Sequence, residues 1–119
     1  VSNATLNMYD GIIESTCYYG IQTEFSNVIN IVGGNISTGV YAVRGKGTEN
    51  IINIGKSGDT VSTTSPELIG GTNAIKSDNG FNFYDGILKG KTDAISGTVI
   101  LTISHPAASK ALICSMVAL

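Results

Sequence analysis

Apolar and polar residues alternate in a short pattern that the chain repeats four times. In each copy an asparagine stands between two large apolar residues, as Leu6-Asn7-Met8, Ile29-Asn30-Ile31, Ile52-Asn53-Ile54 and Phe81-Asn82-Phe83. The copies start 23, 23 and 29 residues apart. Alternation of this kind is typical of half-buried strands. A regular spacing is typical of solenoids, in which each coil buries its apolar side against the next.

Two further positions recur in every copy. An apolar residue follows each motif, usually just after a glycine, at Ile13, Ile36, Ile69 and Leu88. A small residue then precedes a branched aliphatic one in Gly20-Ile21, Ala42-Val43, Ala74-Ile75 and Ala94-Ile95. Gly, Asn, Asp and Ser separate these segments, as expected for tight turns. The pattern therefore predicts an all-β fold, a parallel β-solenoid of about four to five coils with three short strands per coil.

Stacking the coils places equivalent residues in files, with about 4.8 Å between neighbouring rungs. The residues on either side of the asparagines form two interior files, Leu6, Ile29, Ile52 and Phe81 in one and Met8, Ile31, Ile54 and Phe83 in the other. The asparagines face outwards and are predicted to hydrogen-bond from coil to coil. An insertion over Gly55–Ser65 lengthens the third coil. Leu101-Thr102-Ile103 predicts a fifth rung, 20 residues after Phe81.

The composition changes near residue 104. All fifteen glycines lie between Gly11 and Gly97, and His105–Leu119 contains neither Gly nor Asn. We therefore predict a repeat domain over residues 1–104 and a tail over residues 105–119 that caps the last coil as a short helix or strand. The first coil has no comparable cover, which makes self-association through that coil an alternative role.

Charge is sparse, at 13% of residues against about 25% in typical domains, and the net charge is -2. No basic stripe indicates nucleic-acid binding, and no apolar run is long enough to insert into a membrane. Cys17 and Cys114 belong to opposite ends of the stack, so we expect two free, mostly buried thiols. The spacing of His, Cys and acidic residues fits neither a metal site nor a catalytic triad. We predict no cofactor and no enzymatic activity.

The candidate ligand-binding residues are exposed aromatic side chains and charged side chains of the insertion. They are Tyr9, Tyr84, Tyr19, Tyr41, Lys56 and Asp59. Outward tyrosines stack on sugar rings, but they also stabilise adjacent strands. Insertions are the segments on which solenoids commonly carry recognition. Asp10-Gly11 and Asp85-Gly86 would lie about 14 Å apart, too far for a catalytic carboxylate pair, and favour turns instead.

The repeat phrases resemble those of right-handed parallel β-helix proteins of the pectin-lyase-like type. The resemblance is carried by Ile29 to Gly34, by the long coil from Ile52 to Pro66, and by Phe81 to Lys91, and it covers roughly residues 1–99. These phrases are most similar to repeat regions of large secreted or surface proteins of gut Firmicutes. The resemblance implies a right-handed coil and an extracellular or cell-surface location in a bacterium. It implies no catalytic residues.

Together these features predict a non-catalytic extracellular β-solenoid module, a structural spacer or an adhesion and display surface that contacts glycans or host proteins. One alternative is a β-helix that binds or cleaves polysaccharides, although Arg44 is the only arginine and no charged cluster marks one exterior face. Another is a self-assembling subunit whose first coil receives another copy by edge pairing.

Overall fold

The computed structural model describes residues 3–58 and 64–101, which form eleven β-strands and no helix. The predicted capping tail, Asp59 and Cys114 lie outside these ranges. The strands are β1 (Thr5–Met8), β2 (Ile12–Ser15), β3 (Tyr19–Glu24), β4 (Val28–Ile31), β5 (Asn35–Thr38), β6 (Tyr41–Lys46), β7 (Ile51–Ile54), β8 (Glu67–Gly70), β9 (Asn73–Phe83), β10 (Ile87–Gly90) and β11 (Ile95–Leu101).

Two sheets contain these strands. One has the order β1-β4-β7-β9-β6-β3, with β11 also paired to β9, and the other has the order β10-β8-β5-β2. Every pairing between the described strands is parallel, and the sheets are strongly curled. This confirms the predicted all-β fold with parallel stacking, because hairpins between consecutive strands would have produced antiparallel pairs.

One interior file next to the asparagines has the predicted register along its whole length, and the other has it over Leu6, Ile29 and Ile52. Met8 pairs with Ile31, Ile31 with Ile54, and Ile54 with Phe83. The last three of these side chains are fully buried. The small-then-branched positions form a third interior file, in which Ile21, Val43, Ile75 and Ile95 are in register. The core is therefore a column of equivalent apolar side chains contributed by successive coils.

Two residues that were predicted to be interior depart from that prediction. Leu6 is 42% exposed, because β1 is terminal among the described strands of its sheet and no described coil covers it. Leu68, not Ile69, continues the file of the second sheet, where Leu68 pairs with Ile36 and with Leu88 and is fully buried. Ile69 is half-buried on the opposite face. The glycine that precedes the equivalent strand in the other coils, two residues before the interior residue, is replaced here by Pro66, so no glycine marks the start of β8. A shift of one residue exchanges the two faces of a strand, because side chains alternate with a period of two.

The fifth rung is present but displaced by two residues from its predicted register. β11 places Leu101 beside Phe83, whereas the spacing predicts Leu101 beside Phe81. The difference arises at the preceding corner. Residues 78–80 separate the two paired parts of β9, and Thr98 alone takes their place in β11. The rest of the predicted rung lies outside the described residues.

Cys17 also departs from its prediction, since it is a free thiol as expected but is exposed rather than buried. It lies in the corner between Ser15, at the end of β2, and Tyr19, at the start of β3. Side chains in a corner of the coil are not held by the inward and outward alternation of the strands. Exposure there therefore does not follow from the repeat pattern.

We expect Ile31→Ala to lower the free energy of unfolding by about 2–5 kcal/mol, because Ile31 is fully buried between Met8 and Ile54 in the interior column. The matched control is Ile12→Ala, which removes the same atoms from a side chain that is 73% exposed. It should change the stability by about 0.5 kcal/mol or less. Urea unfolding followed by circular dichroism measures both. Equal losses would contradict the interior position of Ile31.

Candidate functional site

A continuous ladder of asparagine amides runs along the outer face of β1, β4, β7 and β9. The Nδ2 of Asn30 donates to Oδ1 of Asn7, that of Asn53 to Asn30, and that of Asn82 to Asn53, each at 2.8 Å. Strand pairing holds these residues in direct register. The predicted asparagine ladder is therefore confirmed. If one strand slipped by one residue, its ladder bonds would break and its interior residues would become exposed at the same time.

The residue two positions after each asparagine lies on the same outer face. These residues are Tyr9, Val32, Gly55 and Tyr84. Backbone hydrogen bonds continue the ladder at this level, because the N–H groups of Val32, Gly55 and Tyr84 each donate to the coil before. Two tyrosines therefore lie at the ends of this file, with Val32 and Gly55 between them. The surface between the two tyrosines forms a groove.

The tyrosines are followed by turns. The Gly11 N–H donates to Oδ1 of Asp10 at 2.7 Å, and the Gly86 N–H donates to Oδ1 of Asp85 at 2.8 Å. Both glycines have positive φ, +104° and +115°. This is the turn geometry that the Asp-Gly dipeptides predict. Each carboxylate accepts a bond from its own turn, which holds Tyr9 and Tyr84 at equivalent places in their coils.

The asparagine ladder and the two tyrosines line an open groove of about 490 Å³ on the outside of the stack, which we call the ladder groove. Its floor is formed by the amides of Asn7, Asn30 and Asn53, and its remaining lining by Tyr9, Val32, Gly55, Lys56, Ser57 and Tyr84. The structure therefore brings together three of the predicted binding residues, the two tyrosines and Lys56. Asp59 lies outside the described residues.

The floor retains hydrogen-bonding capacity after the ladder has formed. An asparagine amide has two N–H donors and an oxygen with two lone pairs. At Asn30 and Asn53 the ladder uses one donor and one lone pair. Each of these rungs therefore presents one further donor and one further acceptor, repeated at the rung spacing of about 4.8 Å. The side chains of the floor carry no formal charge.

The other two predicted binding residues lie on a different face. Tyr19 and Tyr41 stack with ring centroids 5.6 Å apart and an interplanar angle of 7°. Lys76 Nζ lies 5.5 Å from the Tyr41 centroid, a cation–π contact. The ring of Tyr41 is thus covered by neighbouring coils. This arrangement stabilises the pairing of β3 with β6, and a ligand role for this tyrosine pair stays a prediction.

Ion pairs link the coils on the same side as the tyrosine stack. Arg44 lies 3.1 Å from Asp78, and Lys46 lies 2.9 Å from Glu24. The Gly47 N–H, 3.0 Å away, and then Arg44 lower the pKa of Asp78 by hydrogen bonding to its carboxylate. The hydrogen bond from Lys46 likewise lowers the pKa of Glu24. These carboxylates therefore stay ionised and stabilise the stacking of the coils through their ion pairs.

Most of the ladder groove was not predicted from the sequence. The tyrosines were identified from their turns and Lys56 from the insertion, but Val32 and Gly55 were not identified. The asparagines were assigned to strand register alone. The signal that could have revealed the groove is the file of residues two places after each asparagine, because a tyrosine lies at each of its ends.

No protein-family model matches this chain, and comparison with curated proteins and with solved structures finds no match. The resemblance to pectin-lyase-like repeats therefore stays a prediction. Within residues 3–58 and 64–101 there is no helix suited to crossing a bilayer. In the same part of the chain, no three His, Cys, Asp or Glu side chains are grouped so that they could hold a metal ion.

We expect Asn30→Ala to lower the free energy of unfolding by about 1–3 kcal/mol, because it removes two ladder bonds of about 0.5–1.5 kcal/mol each. Asn7→Ala removes one bond from the end of the ladder and should cost about half as much. Urea unfolding of the two variants under the same conditions gives the ratio. A loss at position 7 equal to or greater than that at position 30 would show that the ladder does not act through these bonds.

Acid should weaken the stack through Asp78. A carboxylate with a lowered folded-state pKa stabilises the fold above its unfolded pKa and loses this contribution as the pH falls through the folded value. We expect Asp78→Asn to lower the melting temperature at about pH 7 and to reduce its fall below about pH 4. Melting curves at both pH values test this. An unchanged difference between the two pH values in the variant would contradict the role of Asp78.

Proposed function

We propose that this chain is a right-handed parallel β-helix with three strands per coil, and that it serves as a non-catalytic module of a bacterial extracellular or cell-surface protein. Its role is that of a rigid spacer and display surface. The order of pairing supports three strands per coil, because β1, β2 and β3 each pair with the strand three places later. The strong preference of parallel crossover connections for one hand supports a right-handed coil.

The observation that carries the proposed role is how the outer polar side chains are used. The asparagine amides bond to each other, Lys46 bonds to Glu24, and Glu67 bonds to both Asn35 and Lys89. All of these contacts join one coil to another. A surface whose polar groups stabilise the stack suits a structural module, since each coil then adds length and stiffness. The bacterial surface location is supported by the resemblance of the repeats alone.

A second candidate function is self-association through the first coil. Among the strands that the structure describes, β1, β2 and β3 are terminal in the order of their sheets, and the outer edge of a terminal strand offers backbone groups for pairing. Leu6 and Ile12 in this coil are 42% and 73% exposed. Elongation that depends on protein concentration, measured by light scattering, would favour this candidate over the isolated spacer.

The spacer role predicts that coils can be added. Residues 28–50 make one full coil, because Val28 pairs with Ile51 at the start of the next. We expect a second copy of residues 28–50, inserted after Asn50, to fold with the others. The added coil should lengthen the protein by about 4.8 Å and raise the free energy of unfolding. Small-angle scattering and urea unfolding measure the two effects.

The matched control is an insertion of the same length and composition in scrambled order, which should destabilise the protein. If the true duplication is no more stable than the scrambled one, the coil is not a modular repeat. Catalysis is tested separately with a panel of polysaccharides. Release of reducing ends or unsaturated products, abolished by Asp10→Asn or Asp85→Asn, would contradict the non-catalytic role.

A further inference from the structure

We infer that the ladder groove binds an uncharged linear glycan that lies along the axis of the stack. The inference rests on the proposed display function and specifies its ligand class. It uses three features of the groove, which are the aromatic residues at its ends, the spare hydrogen bonds of its floor and the lack of formal charge on that floor.

The aromatic ends are the first feature. Tyr9 is 71% exposed, and Tyr84, which is half-buried, lies three rungs away, about 14 Å along the stack. Val32 and Gly55 line the groove between them. At this separation the two rings cannot stack on one another, in contrast to Tyr19 and Tyr41. An apolar ring face presented to solvent is suited to the apolar face of a sugar ring.

The floor is the second feature. Asn30 and Asn53 each present an additional N–H donor and an additional oxygen lone pair beside one another, at a repeat of about 4.8 Å. A sugar hydroxyl both donates and accepts, so it can bond to this pair of groups without leaving either one unmatched. Because strand pairing and the ladder hold the amides in place before binding, little side-chain entropy is lost when a ligand arrives.

The distribution of charge is the third feature. The amide floor is neutral, and the carboxylates of Asp10 and Asp85 accept bonds from the backbone of their own turns. Lys56 is the charged residue in the described lining of the groove. A site with this composition recognises its ligand through hydrogen bonds and ring contacts. It therefore favours an uncharged glycan over a polyuronate, which would need several cations.

Titration of the isotopically labelled protein with cellohexaose, xylohexaose, mannohexaose and polygalacturonate tests the inference by NMR. We expect at least one uncharged oligosaccharide to shift the side-chain amide signals of Asn30 and Asn53. Tyr9→Ala should weaken binding about tenfold through loss of the ring contact. The matched control is Tyr18→Ala, which removes a ring that is 69% exposed outside the groove. It should leave the affinity unchanged.

Three results would overturn the inference. These are no shift with any of the uncharged oligosaccharides, an equal loss of affinity in Tyr18→Ala, and binding of polygalacturonate alone. Urea unfolding of each sample keeps the two proposals distinguishable. A protein with normal stability that fails to bind refutes the glycan site and leaves the spacer role standing, whereas failure of the coil duplication refutes the stack on which both depend.

Discussion

Strand register is the constraint on which the rest of this structure depends. The interior holds files of apolar residues, such as the file of Ile31, Ile54 and Phe83, and the outer face holds the asparagine ladder. A slip of one residue disrupts both. Burying one large apolar side chain contributes about 1.5–3 kcal/mol, and one ladder bond about 0.5–1.5 kcal/mol. Burial therefore drives the coils together. The ladder adds selectivity, because only direct alignment of the asparagines satisfies their amides.

Differences in length between one coil and the next occur in the corners and not in the paired strands. The connection between β7 and β8 is long, and the corner crossed by residues 78–80 in one coil is crossed by Thr98 alone in the next. The opposite extreme is the tight corner after β8. A Cβ on Gly70 would lie only 1.7 Å from the carbonyl oxygen of Asn73, so this position accepts glycine alone. Corners differ in length and shape while the strands on either side keep their pairing.

This division explains what could be predicted from the sequence. The period-two alternation around the asparagines defines the interior files and the ladder, because both depend on strand residues alone. Ile69 and Leu101 were assigned to the wrong register, since each follows a connection whose length the repeat does not determine. Cys17 was expected to be buried, but it lies in a corner. For the same reason, the pairing of the strands is predicted more accurately from the repeat spacing than the residue at which each strand begins.

The ladder groove was only partly predictable for a different reason. Tyr9 and Tyr84 are recognisable because aromatic rings beside Asp-Gly turns are chemically distinctive. Val32 and Gly55 are not, because neither side chain is chemically distinctive, and glycine at position 55 is required by the close approach of Asp85, whose backbone nitrogen would lie 2.5 Å from a Cβ there. The tyrosine pair of β3 and β6 shows the converse, since residues that look suited to a ligand in sequence cover each other in the fold. Which aromatic rings remain available depends on the neighbours that stacking brings beside them.

A structural role and a binding role can coexist on the same asparagines because an amide has more hydrogen-bonding groups than the ladder needs. The bonds between coils use one donor and one lone pair of Asn30 and of Asn53, and the remaining groups are available to a ligand. Binding at the groove therefore need not break any contact that holds the stack. It also follows that a ligand spanning several rungs would bond to several coils at once and would stabilise their register further.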